Sequence, residues 1–385
     1  MVKGIIRNPG PRLRPVHSGR LERFVGRDRL EYISGQFRTW YGPPVHILDL
    51  PGSVRVCGGG DFIGPFDFGS EATWADVMLA RMRRFWRELG HYNPALAAAG
   101  FASVGDALAR ASQGDGQKLN GGMVAKTGPT GVAAVASSLW RVGSMPAAGG
   151  AGSAAPGGRA LTKATTGAMA FNNPSSGTLH LTGANVAASV VNNAVMLYDR
   201  IFDVAKTMNS TATEAVTGVP TRYQSTTATA ADYIGGNFLF VEVGGTALAA
   251  TAHNWTTCTY TDQANAASTL PSITGNSSAI VDRFDMPVNT WFAPLEAGDV
   301  GIKALTQMQC SAAVATGAIN FVIGHPIGIM LFPIVNVPLP FNWLTGPELA
   351  PRIFDDAALA LFEYPKPSTT ATTYSGIISA TRALP

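Results

Sequence analysis

The run MPAAGGAGSAAPGG, Met145 to Gly158, holds no side chain larger than a hydroxymethyl group apart from Met145 and two prolines. Such a run cannot bury enough apolar surface to offset its ordering entropy, so it is expected to be a linker or an arm that lies on something else. Upstream the chain is basic and partly helical in pattern; downstream it is nearly neutral and rich in Thr, Ala and Val. Working outward from this break, the sequence divides into a basic extended arm with a β-hairpin (1–70), a helical anchor (71–113), a Gly/Ala-rich linker (114–158) and a β-sandwich domain (159–385).

Charged residues make up only 14% of the chain, against roughly 25% in average soluble domains. The surface must then be covered by Thr, Ser, Asn, Gln and Gly. Scattered like charge keeps free monomers apart, so a chain this poor in charge is expected to assemble with copies of itself. The charge is also uneven: residues 1–158 carry 18 Lys and Arg against 11 Asp and Glu, net +7, and residues 159–385 carry 10 against 14, net −4. Lys3, Arg7, Arg12, Arg14 and Arg20 all precede the first acid, Glu22. Arginine favours planar, multidentate contacts, and aromatic residues for stacking on bases are missing until Phe24, so an acidic protein surface is favoured over nucleic acid as the arm's partner. No apolar h-region marks a secretion leader, and the longest apolar run, Ile327 to Val335, is too short to span a bilayer. No membrane role is expected.

Along the chain, HILDLPGSVRVC, His46 to Cys57, alternates on either side of Pro51-Gly52 and predicts a hairpin. The strongest helical pattern follows, capped by Thr73 with Asp76, its apolar stripe formed by Trp74, Val77, Met78, Met82, Phe85, Trp86 and Leu89, and ended by Gly90. Arg81, Arg83, Arg84 and Arg87 fill its C-terminal half, which makes this a partner-docking helix with Trp74, Arg81, Arg84 and Trp86 as contact candidates. A shorter helix is predicted over Ser103 to Ala111. Trp140, a lone aromatic inside the Gly/Ala stretch, either anchors a neighbouring subunit or packs back on its own sandwich. Beyond Arg159 the pattern is of short strands: Thr178–Leu181, Val195–Val204, Ala215–Tyr223, Asn237–Val243, Trp255–Thr261, Ile302–Val314, Ala318–Ile323, Ile329–Val335 and Tyr374–Thr381. Turn residues separate them, and the fold class expected is mainly β, an antiparallel β-sandwich or jelly roll with an extended, partly helical N-terminal arm. Pro333, Pro338, Pro340, Pro347 and Pro351 mark an excursion from the sheet, and Asp356 to Phe362 reads as a helix.

No catalytic pattern is present. HExxH, GxSxG and CxxC are missing, the six histidines are scattered, and the three cysteines, Cys57, Cys258 and Cys310, are far apart. Gly150 to Ala155 fits GxGxxA without a leading strand or a following helix, and Asn120 to Thr127 lacks both glycines of a phosphate loop. Asp282, Asp285, Glu296 and Asp299 sit among turn residues and read as loop caps, and His253 with Cys258 offers too few ligands for a metal. No cofactor, metal or catalytic residue is expected, and the chain is read as no enzyme.

Several stretches, FNNPSSGTLHLTGANV (Phe171–Val186), LYDRIFDVAKTMNSTATEAVTGVPTRY (Leu197–Tyr223), GIKALTQMQCSAAVATGAINFVIGHP (Gly301–Pro326) and TTYSGIISATRALP at the C-terminus, resemble virion structural proteins of tailed bacteriophages. The resemblance covers about the last 60% of the chain and rests on texture; the first 158 residues lack the long helix and extended loop of the common major-capsid fold. It implies a virion component assembled in the host cytoplasm, a decoration, cement or minor capsid protein that binds other virion proteins and copies of itself. Two alternatives stand beside it: a tail, neck or fibre component, and a carbohydrate-binding or hydrolytic sandwich with Trp255, Trp291 and Trp343 exposed to stack on sugars.

Overall fold

The computed structural model describes Phe101 and residues 103–224, 236–344 and 350–384, together with the backbone of four strands between residues 21 and 66. The chain forms two compact units, Met1–Leu89 and Gly90–Pro385. In the first, β1 (Leu21–Val25), β2 (Val45–Leu50), β3 (Ser53–Gly58) and β4 (Asp61–Phe66) pair as an antiparallel meander. His46 lies opposite Cys57 across the β2–β3 pair. Leu21–Val25, expected as part of an extended arm, is the first strand of this sheet. The helix expected from Thr73 to Gly90 lies outside the described residues.

The described part of the second unit begins with α1 (Val104–Ser112), whose first turn is capped by the Ser103 hydroxyl accepting the Asp106 amide at 3.0 Å. Short strands follow: β5 (Gly116–Lys118), β6 (Val124–Thr127), β7 (Ser137–Ser138), β8 (Ser144–Met145) and β9 (Arg159–Ala160). The longer framework is β10 (Thr178–Ala188), β11 (Asn193–Thr207), β12 (Glu214–Ala215), β13 (Phe238–Val243), β14 (Asn254–Asp262), β15 (Ala267–Thr269) and β16 (Ile273–Thr274). It is completed by β17 (Ile302–Cys310), β18 (Ala318–Phe332), β19 (Leu339–Asn342), β20 (Arg352–Ile353), β21 (Leu359–Glu363) and β22 (Thr373–Ala383).

These strands make three antiparallel sheets. A seven-stranded sheet runs β19-β10-β22-β6-β8, with β20 on β10 and β5 on β22; a six-stranded sheet runs β13-β18-β11-β21-β7, with β9 on β11; a five-stranded sheet runs β12-β17-β14-β15, with β16 on β14. The six-stranded sheet is central, because both of its faces are buried. Along β21, Leu359 and Leu361 join the core shared with the seven-stranded sheet, while Ala360 and Phe362 join the core shared with the five-stranded one. Val195 and Leu197 alternate with Met196 and Tyr198 in the same way on β11. The expected sandwich is thus present, with a third sheet on its far side. Connections β10–β11, β18–β19 and β21–β22 each cross from one sheet to another, so the long strands pair with partners distant in sequence, while β14–β15 is a local hairpin.

Burial on both faces explains where local pattern misleads. Residues 356–362 combine Asp356 with Ala and Leu, a helical pattern, yet Leu359–Glu363 is a central strand whose apolar side chains serve two cores. Ala318–Ile323 and Ile329–Val335 are one strand, β18, which ends at Phe332; Pro326 is accommodated where the register skips Ile327, with Leu197 opposite Gly328 and Tyr198 opposite Pro326. Of Ala215–Tyr223 only Ala215 is in a strand, since Val216 hydrogen-bonds Thr306 and the chain then turns inward at Arg222 and Tyr223.

The largest correction concerns residues 114–158, expected as a linker to a separate body. They belong to the same unit as the sandwich: β5, β6 and β8 are strands of the seven-stranded sheet, β7 is a strand of the central one, and residues 149–158 lie as a strap on the central sheet. Ser144 and Met145 pair with β6, the Gly152 amide donates to Asn320 Oδ1 at 3.0 Å, and the Ala205 amide donates to Ser153 O at 2.7 Å before β9 joins β11. Small residues are required because the strap lies so close. A Cβ on Gly149 would fall within the Trp140 indole, and one on Gly152 would stand 2.8 Å from Asn320 Oδ1. The Gly149→Ala variant is therefore expected to lose about 1–3 kcal/mol of stability through overpacking against Trp140. Urea denaturation checks this; an unchanged midpoint would show that the strap is loosely held.

Candidate interaction surface

Twelve Asp, Glu, Lys and Arg side chains of the described residues are buried. Removing a charge from water is costly unless it is paired and hydrogen-bonded, and β11 carries most of the pairing. Arg200 Nη2 donates to Glu242 Oε1 at 2.7 Å and to Asp203 Oδ2 at 3.1 Å, while Arg159 donates from Nε and Nη2 to Asp203 at 3.1 and 2.8 Å. Asn320 Nδ2 donates to Glu242 Oε1 at 3.0 Å, and the Arg200 guanidinium lies 5.0 Å from the Trp140 ring centroid. Burial opposes the ionised form of both Arg200 and Glu242, but their mutual attraction prevails: the guanidinium pKa is raised and the carboxyl pKa is lowered. One residue away, Asp199 accepts both Arg222 nitrogens at 2.9 and 2.7 Å, the Tyr223 hydroxyl at 3.2 Å and the Ala358 amide at 2.8 Å.

Two further sites repeat the pattern. Glu363 is held by Lys366 at 3.2 Å and by the Tyr374 hydroxyl at 2.9 Å, with burial pushing its pKa up against the pull of Lys366. Asp285 accepts His253 Nε2 and Trp255 Nε1, each at 2.9 Å, and the Asn276 amide at 2.5 Å. Less tightly, Arg141 Nε stands 3.7 Å from Asp282 Oδ1, and burial, reinforced by the Glu242 charge, pushes the Asp282 carboxyl up to about 7. Most of these carboxylate oxygens are hydrogen-bonded within the fold, while Asp282 Oδ1 and Glu242 Oε2 are buried without a hydrogen-bond partner.

The residues expected to carry function are placed as follows. Trp140 is 1% exposed, its Nε1 donating to Gly150 O at 3.1 Å, so it packs on its own sandwich and offers no face to a neighbour. Arg7, Arg12, Arg14, Arg20, Trp74, Arg81, Arg84 and Trp86 lie outside the described residues. Trp255 and Trp343 are buried, and Trp291 packs edge-on against Phe238 at 5.1 Å, so the sugar-stacking platform expected from these three is not formed. Glu296 caps the Thr269 amide and Asp299 accepts the Tyr260 hydroxyl, as turn acids do. Cys258 and Cys310 are buried thiols, that of Cys258 pushed up to about 11 by burial. Among the described residues no three His, Cys, Asp or Glu side chains gather as metal ligands, and no helix is long and apolar enough to cross a membrane.

With so many charges inside, the outer faces of the outer sheets are coated with hydroxyls. Thr127 pairs with Thr373 at 2.9 Å on the seven-stranded sheet and Thr259 with Thr306 at 2.8 Å on the five-stranded one. One departure from this coat lies at one end of the sandwich. There the β10–β11 turn (189–192), the β18–β19 loop (333–338) and the segment before β22 (367–372) converge: the Asn336 amide bonds Ala188 O at 2.8 Å, the Ser189 amide bonds Thr373 O at 2.9 Å, and Asn193 Nδ2 bonds Thr372 Oγ1 at 2.9 Å. None of these three segments contains a charged residue. Val191, Leu331, Ile334, Val335 and Val337 are each 42–60% exposed there. The sequence signal was PIVNVP, Pro333 to Pro338, an aliphatic run between the ends of β18 and β19 whose two prolines keep it out of either strand.

No family model matches the sequence, and no curated protein does. Among solved structures, the crystal structure of the infectious bursal disease virus VP2 subviral particle aligns over 69% of this chain and 81% of that one, at 9% identity and a TM-score of 0.11. A likeness at that level carries no argument about fold or function.

The Asp285 site yields a pH dependence. His253 Nδ1 faces Thr251 O at 3.0 Å while Nε2 faces the Asp285 carboxylate, and both partners only accept, so the buried ring is held as imidazolium. Burial opposes this, yet the Asp285 hydrogen bond and charge outweigh it and raise the His253 pKa. A raised folded-state pKa contributes stability that is full below the unfolded value of about 6.5 and is lost as pH rises through the folded one. Thermal unfolding from pH 5 to 9 should show this loss in the natural sequence and not in His253→Gln; identical profiles would refute the charged ring.

Proposed function

We propose that this chain is a structural subunit of a phage particle, a decoration, cement or minor capsid protein that binds the head and neighbouring copies through broad surface contact. The observation that carries this reading is the distribution of polarity: ionic groups neutralise one another inside the sandwich, while hydroxyls and an uncharged aliphatic end face outward. Charge facing outward would keep copies apart at close packing, whereas hydroxyl and aliphatic surfaces tolerate contact with many partners. The resemblance of Phe171–Val186, Leu197–Tyr223 and Gly301–Pro326 to tailed-phage virion proteins supports the same class. The engagement of the described buried acids in internal pairs favours a mechanical role over a catalytic one.

In this reading the basic N-terminal segment with Arg7, Arg12, Arg14 and Arg20 engages an acidic protein surface on the particle, and the sandwich spreads over adjacent subunits. Quantitative mass spectrometry of purified particles tests it. Hundreds of copies per particle are expected for a shell component; a dozen or fewer would move the assignment to the neck, tail or fibre, and absence from particles would overturn it.

A further inference from the structure

We propose that residues 282–285 are a proton-operated clasp on the central sheet, fastened when Asp282 carries a proton and loosened when it gives the proton up. Such a device is independent of whether the chain assembles. On one side the Ser138 amide donates to Asp282 O at 2.7 Å and the Phe284 amide to Ala136 O at 2.9 Å, which ties the segment to β7 and the residue before it. On the other the Asp282 amide donates to Val243 O at 3.0 Å, the Val243 amide to Arg283 O at 2.8 Å and the Asp285 amide to Val241 O at 2.8 Å, which ties it to β13. Since β13 and β7 are the two ends of the β13-β18-β11-β21-β7 order, these bonds close the sheet on itself. Phe284 stacks on Phe240 with ring centroids 4.4 Å apart and lies 5.5 Å from Phe362, so the clasp also carries part of the aromatic core.

The carboxyl at the head of this segment is poorly matched when ionised. Asp282 Oδ1 is buried and accepts no hydrogen bond, and neither does Glu242 Oε2 on β13. Arg141 Nε and Nη1 find no acceptor, although Nε stands 3.7 Å from Asp282 Oδ1. The charged groups that act on Asp282 are Glu242 from β13, Arg141 from the segment after β7, Arg200 from β11 and Lys126 from β6. Burial, reinforced by the Glu242 charge, outweighs the three cations and pushes the carboxyl up to about 7. Lys126 is no fixed counter-ion, because its Nζ donates to Val142 O at 2.6 Å and burial lowers it to about 8. A neutral Asp282 brings an O–H donor to a cluster with an unused acceptor on Glu242, whereas an ionised one leaves two buried carboxylates repelling each other. The proton comes from solvent, to which 16% of the Asp282 side chain remains exposed. The folded-state pKa lies above the unfolded value of about 3.9, so this stabilisation is full below the unfolded value and is lost as pH rises through the folded one.

Amide hydrogen exchange in the full chain at pH 5.5 and 8, corrected for the intrinsic pH dependence of exchange, reads the clasp at Ser138 and Val243. His253 holds Asp285 at the far end of the segment and also titrates, so the natural sequence is compared with both Asp282→Asn and His253→Gln. Asparagine tolerates the left-handed φ of 72° at this position and stands in for the protonated acid without titrating. Protection of both amides should fall at least tenfold between the two pH values in the natural sequence and in His253→Gln, and less than twofold in Asp282→Asn. A smaller fall in the natural sequence, a fall of twofold or more in Asp282→Asn, or a fall that disappears in His253→Gln would each overturn the clasp. If near-UV circular dichroism shows that Asp282→Asn does not fold, carboxyl-carbon NMR titration of Asp282 in the natural sequence decides. A midpoint near neutrality that moves up in Arg141→Gln is expected, and an ordinary midpoint of about 4 overturns the inference.

Discussion

The constraint on which the structure depends is neutralisation of buried charge on the central strand β11. Asp199, Arg200 and Asp203 are fully buried within five residues of one another. Strand geometry sends neighbouring side chains to opposite faces, so a single partner cannot serve all three. Asp199 is answered by Arg222 and Tyr223, Arg200 by Glu242 on β13, and Asp203 by Arg159 from the strap as well as by Arg200. Each partner comes from a different part of the chain. Pairing of this kind adds little to stability compared with well-packed apolar side chains, but loss of one member leaves a buried charge exposed to nothing but low dielectric. The network therefore fixes which segments must lie together more than it adds to the free energy of folding.

The strap follows from the same requirement. Bringing Arg159 to Asp203 lays residues 149–158 over the sheet, close enough that Gly149 lies under Trp140 and Gly152 against Asn320. Asn320 links the two systems, accepting from the Gly152 amide and donating to Glu242. A composition without bulk is what permits the approach. Trp140 is covered by the backbone it precedes, and its ring in turn lies against Arg200.

Interior charge also determines what is left for the surface. Hydroxyl pairs lie on the outer sheets, and the aliphatic end is built from three segments that contain no charged residue. Edges of the sheets are short or interrupted, as at β19, where Pro340 lies opposite Asn185 and offers no amide for another strand.

The sequence alone determined the fold class, because short β-branched runs separated by Asn, Gly and Pro admit little else, and it placed β10, β11, β13, β14, β17 and β22 within a few residues of their ends or, for β10 and β17, at one end. It also marked Ser103 as a cap and the low total charge as unusual. Tertiary structure decided the rest. A Gly/Ala run has the same composition whether it spans open solvent or presses against a sheet, so only the positions of Asp203, Asn320 and Trp140 made it a strap. Residues 356–362 carry a helical pattern that burial on both faces turned into a strand. The aliphatic end was not legible: Ile329–Val335 read as a strand and Pro333, Pro338 and Pro340 as an excursion, because its meeting with the β10–β11 turn depends on connections that cross between sheets, and sequence periodicity records neighbours along a strand rather than neighbours across a fold.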